Sequence, residues 1–183
     1  MTKYHPALVA LHWIMAIMIL MGLFFGKVVL SAMDNADPEK AQGLAGHMII
    51  GILVGVLLIV RLIFRFATEK PPHAKTGYNF LDQVGAATHW ILYILVGLMV
   101  ASGLGTALTG GLFAISFGGS GDPIPAGLNN LVPRIMHGLA ANLLILILAL
   151  HIAAALYHQF FLKDGLFRRM WFGKHATLSE TKQ

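Results

Sequence analysis

Long apolar runs, rather than short alternating ones, dominate the chain. Four stretches with few charges cover residues 7–30, 44–66, 85–108 and 135–161. Each reaches the roughly 20 residues a helix needs to cross a hydrocarbon core of about 30 Å. None shows the period-two alternation of a barrel strand, so all four predict membrane-spanning helices. The first run exceeds the about 7–15 apolar residues of a signal peptide, and only Lys3 precedes it, so it reads as a retained helix. The expected fold is an all-α, four-transmembrane-helix bundle, with residues 1–183 forming one transmembrane domain. Beyond the last span, residues 162–175 mix Phe167, Trp171 and Phe172 with Lys163, Arg168, Arg169 and Lys174. That mixture predicts an amphipathic segment lying on the bilayer surface.

Composition narrows the function classes. Hydrophobic residues make up 57% and charged residues 11%, against roughly 25% charged in a soluble domain. A soluble enzyme, a disordered tail and a disulfide scaffold are excluded. The absence of cysteine removes iron–sulfur clusters, thiolate zinc sites and covalently attached haem. The net charge of +5 is a topology signal. Lys3, Arg61, Arg65, Lys70, Lys75, Lys163, Arg168, Arg169, Lys174 and Lys182 fall on one side of the predicted membrane, and Lys27, Lys40 and Arg134 on the other. The positive-inside rule then puts both termini and the 67–84 loop in the cytoplasm, and no nucleic-acid partner is expected.

The chemistry-bearing residues are histidines inside the spans: His12 in the first, His47 in the second, His89 in the third, and His137 and His151 in the fourth. Polar residues within a membrane point to function by default. His137 and His151 are 14 residues apart, about 1,400° of rotation and about 21 Å of rise, so they face one way at opposite depths. Two ligands so far apart cannot share one metal ion, but each can hold a haem, one haem per leaflet. Depth then pairs His47 with His137 at the outer level and His12 with His151 at the inner level. His89 and His158 compete with His12 for the inner haem, but both read as lying nearer the cytoplasmic surface, so His12 is preferred. His89 and His158 are candidates for a quinone or proton-transfer site. Arg61 is 14 residues after His47 and falls at the inner level, where a haem propionate or the membrane surface could engage it. Gly51 and Gly55 follow His47 at four-residue spacing and suit close approach of helices or a flat porphyrin.

These residues resemble the bacterial cytochrome b561 family, four-helix dihaem b-type cytochromes of the inner membrane. The resemblance runs from about Tyr4 to Trp171. It rests on His12-Trp13, on His47 opening the second span, and on Arg61-Leu62-Ile63-Phe64-Arg65 at its end. Pro71-Pro72, His89 with Leu92-Tyr93, and the His137/His151 pair complete it. Family members often carry a Pro before a Ser-Gly in the third span, whereas this chain reads Val100-Ala101-Ser102-Gly103.

The resemblance implies two non-covalent b haems with bis-His ligation and electron exchange with the quinone pool. Some members are similar to proteins that oxidise superoxide and reduce ubiquinone. Others resemble cytochrome b subunits that relay electrons between quinone and a redox partner protein. Superoxide would be steered by Lys27, Lys40 and Arg134, against the opposing acids Asp34, Asp37 and Glu39. A haem-free, histidine-based cation transporter is the remaining alternative. The scarcity of membrane carboxylates and the wide His137–His151 spacing argue against it.

Overall fold

The computed structural model describes residues 3–69, 71 and 79–172. Every regular element among them is helical. Helix α1 is Pro6–Phe24 and widens into a π-helical stretch over Phe25–Leu30. Helix α2 is Pro38–Ala67 and α3 is Asn79–Thr109. The short α4, Leu112–Phe117, and a 3₁₀ turn, Ala126–Asn130, lie between α3 and α5, Val132–Tyr157. Helix α5 ends in a second π-helical stretch, His158–Leu162, before the single turn of α6, Leu166–Arg169. Lys70, Pro72, Lys75, Lys174 and Lys182 lie outside the described residues.

Local chemistry sets the helix starts. Proline opens α1, and the His5 ring accepts from the Ala7 amide at 3.2 Å. Asp37 caps α2 by accepting from Glu39 N–H at 2.9 Å, with Pro38 in the first turn. Such a cap satisfies an amide that the helix itself leaves open, so α2 begins ahead of its apolar run. Helix α3 passes unbroken through Val100–Gly103.

Four helical segments, Pro6–Leu30, Pro38–Ala67, Asp82–Thr109 and Val132–Leu162, are long and apolar enough to span a bilayer. Their outward faces carry large bare side chains, among them Phe24, Ile59, Ile94 and Leu146. In water that much apolar surface would aggregate; against lipid it is the ordinary exterior. The interior is thin. Met15, Leu23, Val54, Leu58, Leu95, Val96, Ala141 and Leu144 form the central core between the two histidine levels. A second cluster of Ala107, Leu112, Ile124 and Leu128 seals the end where α4 and the 3₁₀ turn cross the bundle. Helices α3 and α5 share the most extensive interface, and α2 packs on both α1 and α3. Small residues permit the approach: a Cβ on Gly55 would sit 2.9 Å from Val100, and one on Gly105 would sit 3.2 Å from Pro133.

Candidate functional site

The bundle gathers its membrane histidines into two levels. At one level His47 on α2 faces His137 on α5, with ring centres 6.2 Å apart. At the other His12 on α1 faces His151 on α5, with ring centres 6.4 Å apart. Metal–imidazole bonds of about 2.0–2.1 Å on both sides of one iron place ring centres roughly 6.3 Å apart. Both separations match that span. Among the described residues, no group of three or more His, Cys, Asp or Glu is arranged to hold a bare metal ion. Two imidazoles per level suit an iron whose other four donors come from a porphyrin.

The His47/His137 level is built for a flat guest. His137 Nδ1 donates to the Met99 carbonyl at 3.0 Å and lies 3.3 Å from the Ser102 hydroxyl. That bond fixes the tautomer and leaves Nε2 with its lone pair free, the arrangement of a metal-ligating histidine. Glycines make room for both rings. A Cβ on Gly103 would come within 3.0 Å of the His137 ring, and one on Gly26 within 3.1 Å of the His47 ring. Gly26 lies in the widened end of α1, where the extra residue per turn brings backbone against His47. His47 Nδ1 is buried without a hydrogen-bond partner, an arrangement that is costly unless a ligand justifies it. An apolar cleft between these rings is lined by Met18, Leu23, Gly51, Val54, Val100 and Leu144. Gly51 faces this cleft, and a Cβ there would meet nothing. Gly55 packs on Val100 instead. The residues present fit a haem.

The His12/His151 level is more polar. Its third ring is His89, whose centre lies 5.6 Å from that of His151. The depth reading set His89 apart from this pair; the structure brings it in. His89 Nδ1 donates to Gly85 O at 2.9 Å. Arg61 does not reach out to the surface. It donates from Nη1 to Leu8 O at 2.7 Å and from Nε to the Tyr93 hydroxyl at 3.0 Å. One half-buried guanidinium thereby ties α1, α2 and α3 together a turn before His12. Arg65 stacks over Trp90 at 5.2 Å and over Tyr93 at 5.4 Å.

His158 follows His151 by seven residues, about 10 Å further along the helix and within about 20° of the same face. It is not isolated. Its Nδ1 lies 2.6 Å from an Asp164 carboxylate oxygen. Nothing in the spacing of His158 and Asp164 singled out this pair, because the chain must reverse between them. The C-terminal segment also folds back on α1. Trp13, the neighbour of His12, donates to Met170 O at 2.8 Å, and Tyr4 N–H reaches Arg169 O at 3.3 Å.

At the opposite end, the 31–43 and 109–133 connections clasp each other through Ile124 N–H and Asn35 O at 3.2 Å. A cleft of about 420 Å³ between them is lined by Asn35, Asp37, Ile115, Asp122 and Ile124, among others. Lys40 bonds to Met33 O and Asn35 Oδ1, both at 2.7 Å. It is thus engaged within its own loop, which leaves Lys27 and Arg134 as the other basic residues of that end.

Comparison with known proteins agrees with this architecture. The prokaryotic cytochrome b561 family matches residues 3–173. Cytochrome b562 of Cereibacter sphaeroides is 33% identical over 166 residues, covering 88% of this chain and 90% of the relative. The probable superoxide oxidase CybB of Yersinia pestis is 22% identical over 170 residues, covering 92% of this chain and 95% of the relative. The chain belongs to the prokaryotic cytochrome b561 family. It is a multi-pass bacterial membrane protein of electron transfer, and the family implies haem b as cofactor and a membrane quinone or redox partner.

Proposed function

We propose that the chain carries electrons across the bacterial inner membrane through two b haems, as a single domain with both termini cytoplasmic. His47 and His137 hold the haem of the outer leaflet, and His12 and His151 that of the inner leaflet. The observation that carries this reading is the pair of ring separations, 6.2 and 6.4 Å, each the span of one bis-imidazole iron. Haem held by these imidazoles would supply one-electron chemistry. The polypeptide orients the imidazoles through the Met99 carbonyl, excludes water with the Leu144–Val54 core, and sets fixed charge beside the inner level with Arg61.

The donor at the outer leaflet is superoxide and the acceptor at the inner leaflet is ubiquinone. Two features support this. A relative named as a probable superoxide oxidase aligns over nearly the whole chain. Extra imidazoles, His89 beside the inner level and His158 beyond it, can supply the protons quinol formation requires. Asp37 and Asp122 in the outer cleft favour a second reading, in which a redox protein with a basic face docks there and relays electrons to or from quinone.

The test is a dithionite-reduced minus oxidised spectrum with haem quantified per chain, followed by superoxide and quinone assays. A low-spin b-type α band and two haems per chain are expected. One haem would mean that one pair is misassigned. A protein that stays colourless with added haem would end the reading.

A further inference from the structure

The turn after α5 has a construction that electron transfer alone does not explain. Helix α5 widens over His158–Leu162, and two left-handed residues follow: Lys163 at φ 51° and Gly165 at φ 71°. Among the described residues Lys163 is the only non-glycine residue with positive φ. A lysine has no intrinsic reason to adopt that conformation, and strain of this kind persists where surrounding contacts enforce it. What it achieves is visible. Asp164, between the two left-handed residues, is turned back onto His158 six residues earlier. One carboxylate oxygen accepts from His158 Nδ1 at 2.6 Å, and the other accepts from Leu166 N–H at 2.9 Å.

From this geometry we infer that Asp164 is a positioning residue for proton delivery, holding His158 as the group that protonates the quinone reduced at the inner haem. The inference deepens the quinone reading above and rests on it. The carboxylate keeps the Nδ1 proton in place, so the exchangeable proton is on Nε2. His158 lies on the face of α5 that bears His151, between the inner level and the aqueous surface. Only 12% of its side chain and 29% of that of Asp164 are exposed. As the quinone takes up each electron, His158 Nε2–H would transfer its proton to a quinone oxygen. The imidazole recovers a proton from cytoplasmic water and repeats the step for the second oxygen. Quinone, two electrons and two protons give quinol, and the dyad is left as it began.

The charge environment is consistent with this role. Partial burial pushes the Asp164 carboxyl up. The hydrogen bonds from His158 and Leu166, the His158 charge and nearby Arg169 outweigh burial and hold it below the usual carboxylate range. It therefore stays ionised at neutral pH. Tyr157, with its ring centre 6.4 Å from that of His158, and Lys163 are the other titratable groups of this turn.

The experiment uses the full haem-loaded chain in detergent, reduced and then mixed with a short-chain ubiquinone while haem reoxidation is followed across pH. Wild type, Asp164→Asn, Asp164→Glu, His158→Gln and the Asn/Gln double variant are compared. Haem content and α-band position report folding independently of turnover. Asp164→Asn is expected to slow reoxidation at neutral pH by about 10–100-fold. Its alkaline fall in rate moves toward lower pH. Asp164→Glu recovers part of the rate. His158→Gln is slow and loses that pH limb, and the double variant is no slower than His158→Gln, as expected of groups acting as one unit. A wild-type rate and profile in Asp164→Asn, or fully additive losses in the double variant, would overturn the dyad. Failure of quinone to reoxidise wild type would instead overturn the quinone reading beneath it.

Discussion

The two histidine levels, outer and inner in the proposed orientation, share one helix, α5, and the same residue type, yet they are built differently. His47 and His137 sit against glycine and a backbone carbonyl, in an apolar cleft between the spans. His12 and His151 sit among His89, Arg61, Tyr93 and Trp13. Under the proposed assignment the first arrangement would hold a flat cofactor, which suits a station that only passes electrons. The second surrounds the cofactor with groups that carry charge and protons, which suits the end where electron transfer meets proton chemistry. One bundle thus supports two kinds of site: glycines, Ser102 and the nearby Arg134 surround one pair of rings, and His89, Arg61 and Tyr93 the other.

The comparison breaks most sharply if the levels lose their independence. His137→Ala is expected to remove one of two haems and leave the inner one, and His151→Ala to do the reverse. Haem per chain by the pyridine haemochrome method checks both. Loss of both haems in either variant would show that the levels form one cooperative unit.

A subtler change separates the levels by shape alone. Gly103→Val puts a branched side chain where even a Cβ would lie 3.0 Å from the His137 ring. Overpacking of this kind costs roughly 1–3 kcal/mol, here directed at one ligand. The outer haem is expected to become substoichiometric or high-spin while the inner spectrum persists. The same outcome is expected for Gly26→Val, through His47.

Arg61 tests the polar character of the inner level. Arg61→Met leaves Leu8 O and the Tyr93 hydroxyl without their partner, at a cost of about 1–3 kcal/mol. It also removes a positive charge that favours the ferrous state. One charge within roughly 10 Å at an effective dielectric constant near 20 is worth about 1.5–2 kcal/mol. Redox titration is expected to show the inner midpoint potential falling and the outer one unchanged. Equal shifts in both would mean that Arg61 acts through the general field of the bundle.

Much of this arrangement was legible in the sequence. Apolar runs of spanning length and a 14-residue histidine spacing are one-dimensional signals, because helix rise and rotation convert them directly into depth and direction. The contrast between the levels was not legible. Whether Arg61 turns inward to Leu8 and Tyr93 or outward to the surface depends on which helix stands beside it, and the two outcomes share one sequence. Counting from the outer end of its span puts His89 nearer the surface, a count that ignores how far α3 is shifted against α5. The Asp164–His158 contact depends on two left-handed residues, one of them a lysine that gives no hint of that conformation. The two π-helical stretches, beside His47 and at His158, shift side-chain register by one residue. Apolar periodicity does not detect such a shift.

The smallest effect concerns the strap beneath the inner level. Trp13 donates to Met170 O at 2.8 Å and makes edge contacts with Phe167 and Trp171, whose own rings stack at 5.7 Å. Trp13→Phe keeps an aromatic ring against that pair and deletes only the hydrogen bond, worth about 0.5–1.5 kcal/mol. Residues 163–172 are expected to exchange amide hydrogen or admit protease about 2–10-fold faster, as an opening equilibrium shifted by that energy requires. Both haems are expected to stay bound, because no ligand depends on the bond. The strap begins at the turn that carries Asp164, so a loosened strap also tests whether its register depends on the far anchor. An unchanged alkaline limb of quinone-driven haem reoxidation in Trp13→Phe would show that the two left-handed residues hold Asp164 on His158 by themselves. A limb moved toward lower pH would show that the inner level draws its proton chemistry from the whole folded-back segment, which the outer level has no counterpart to.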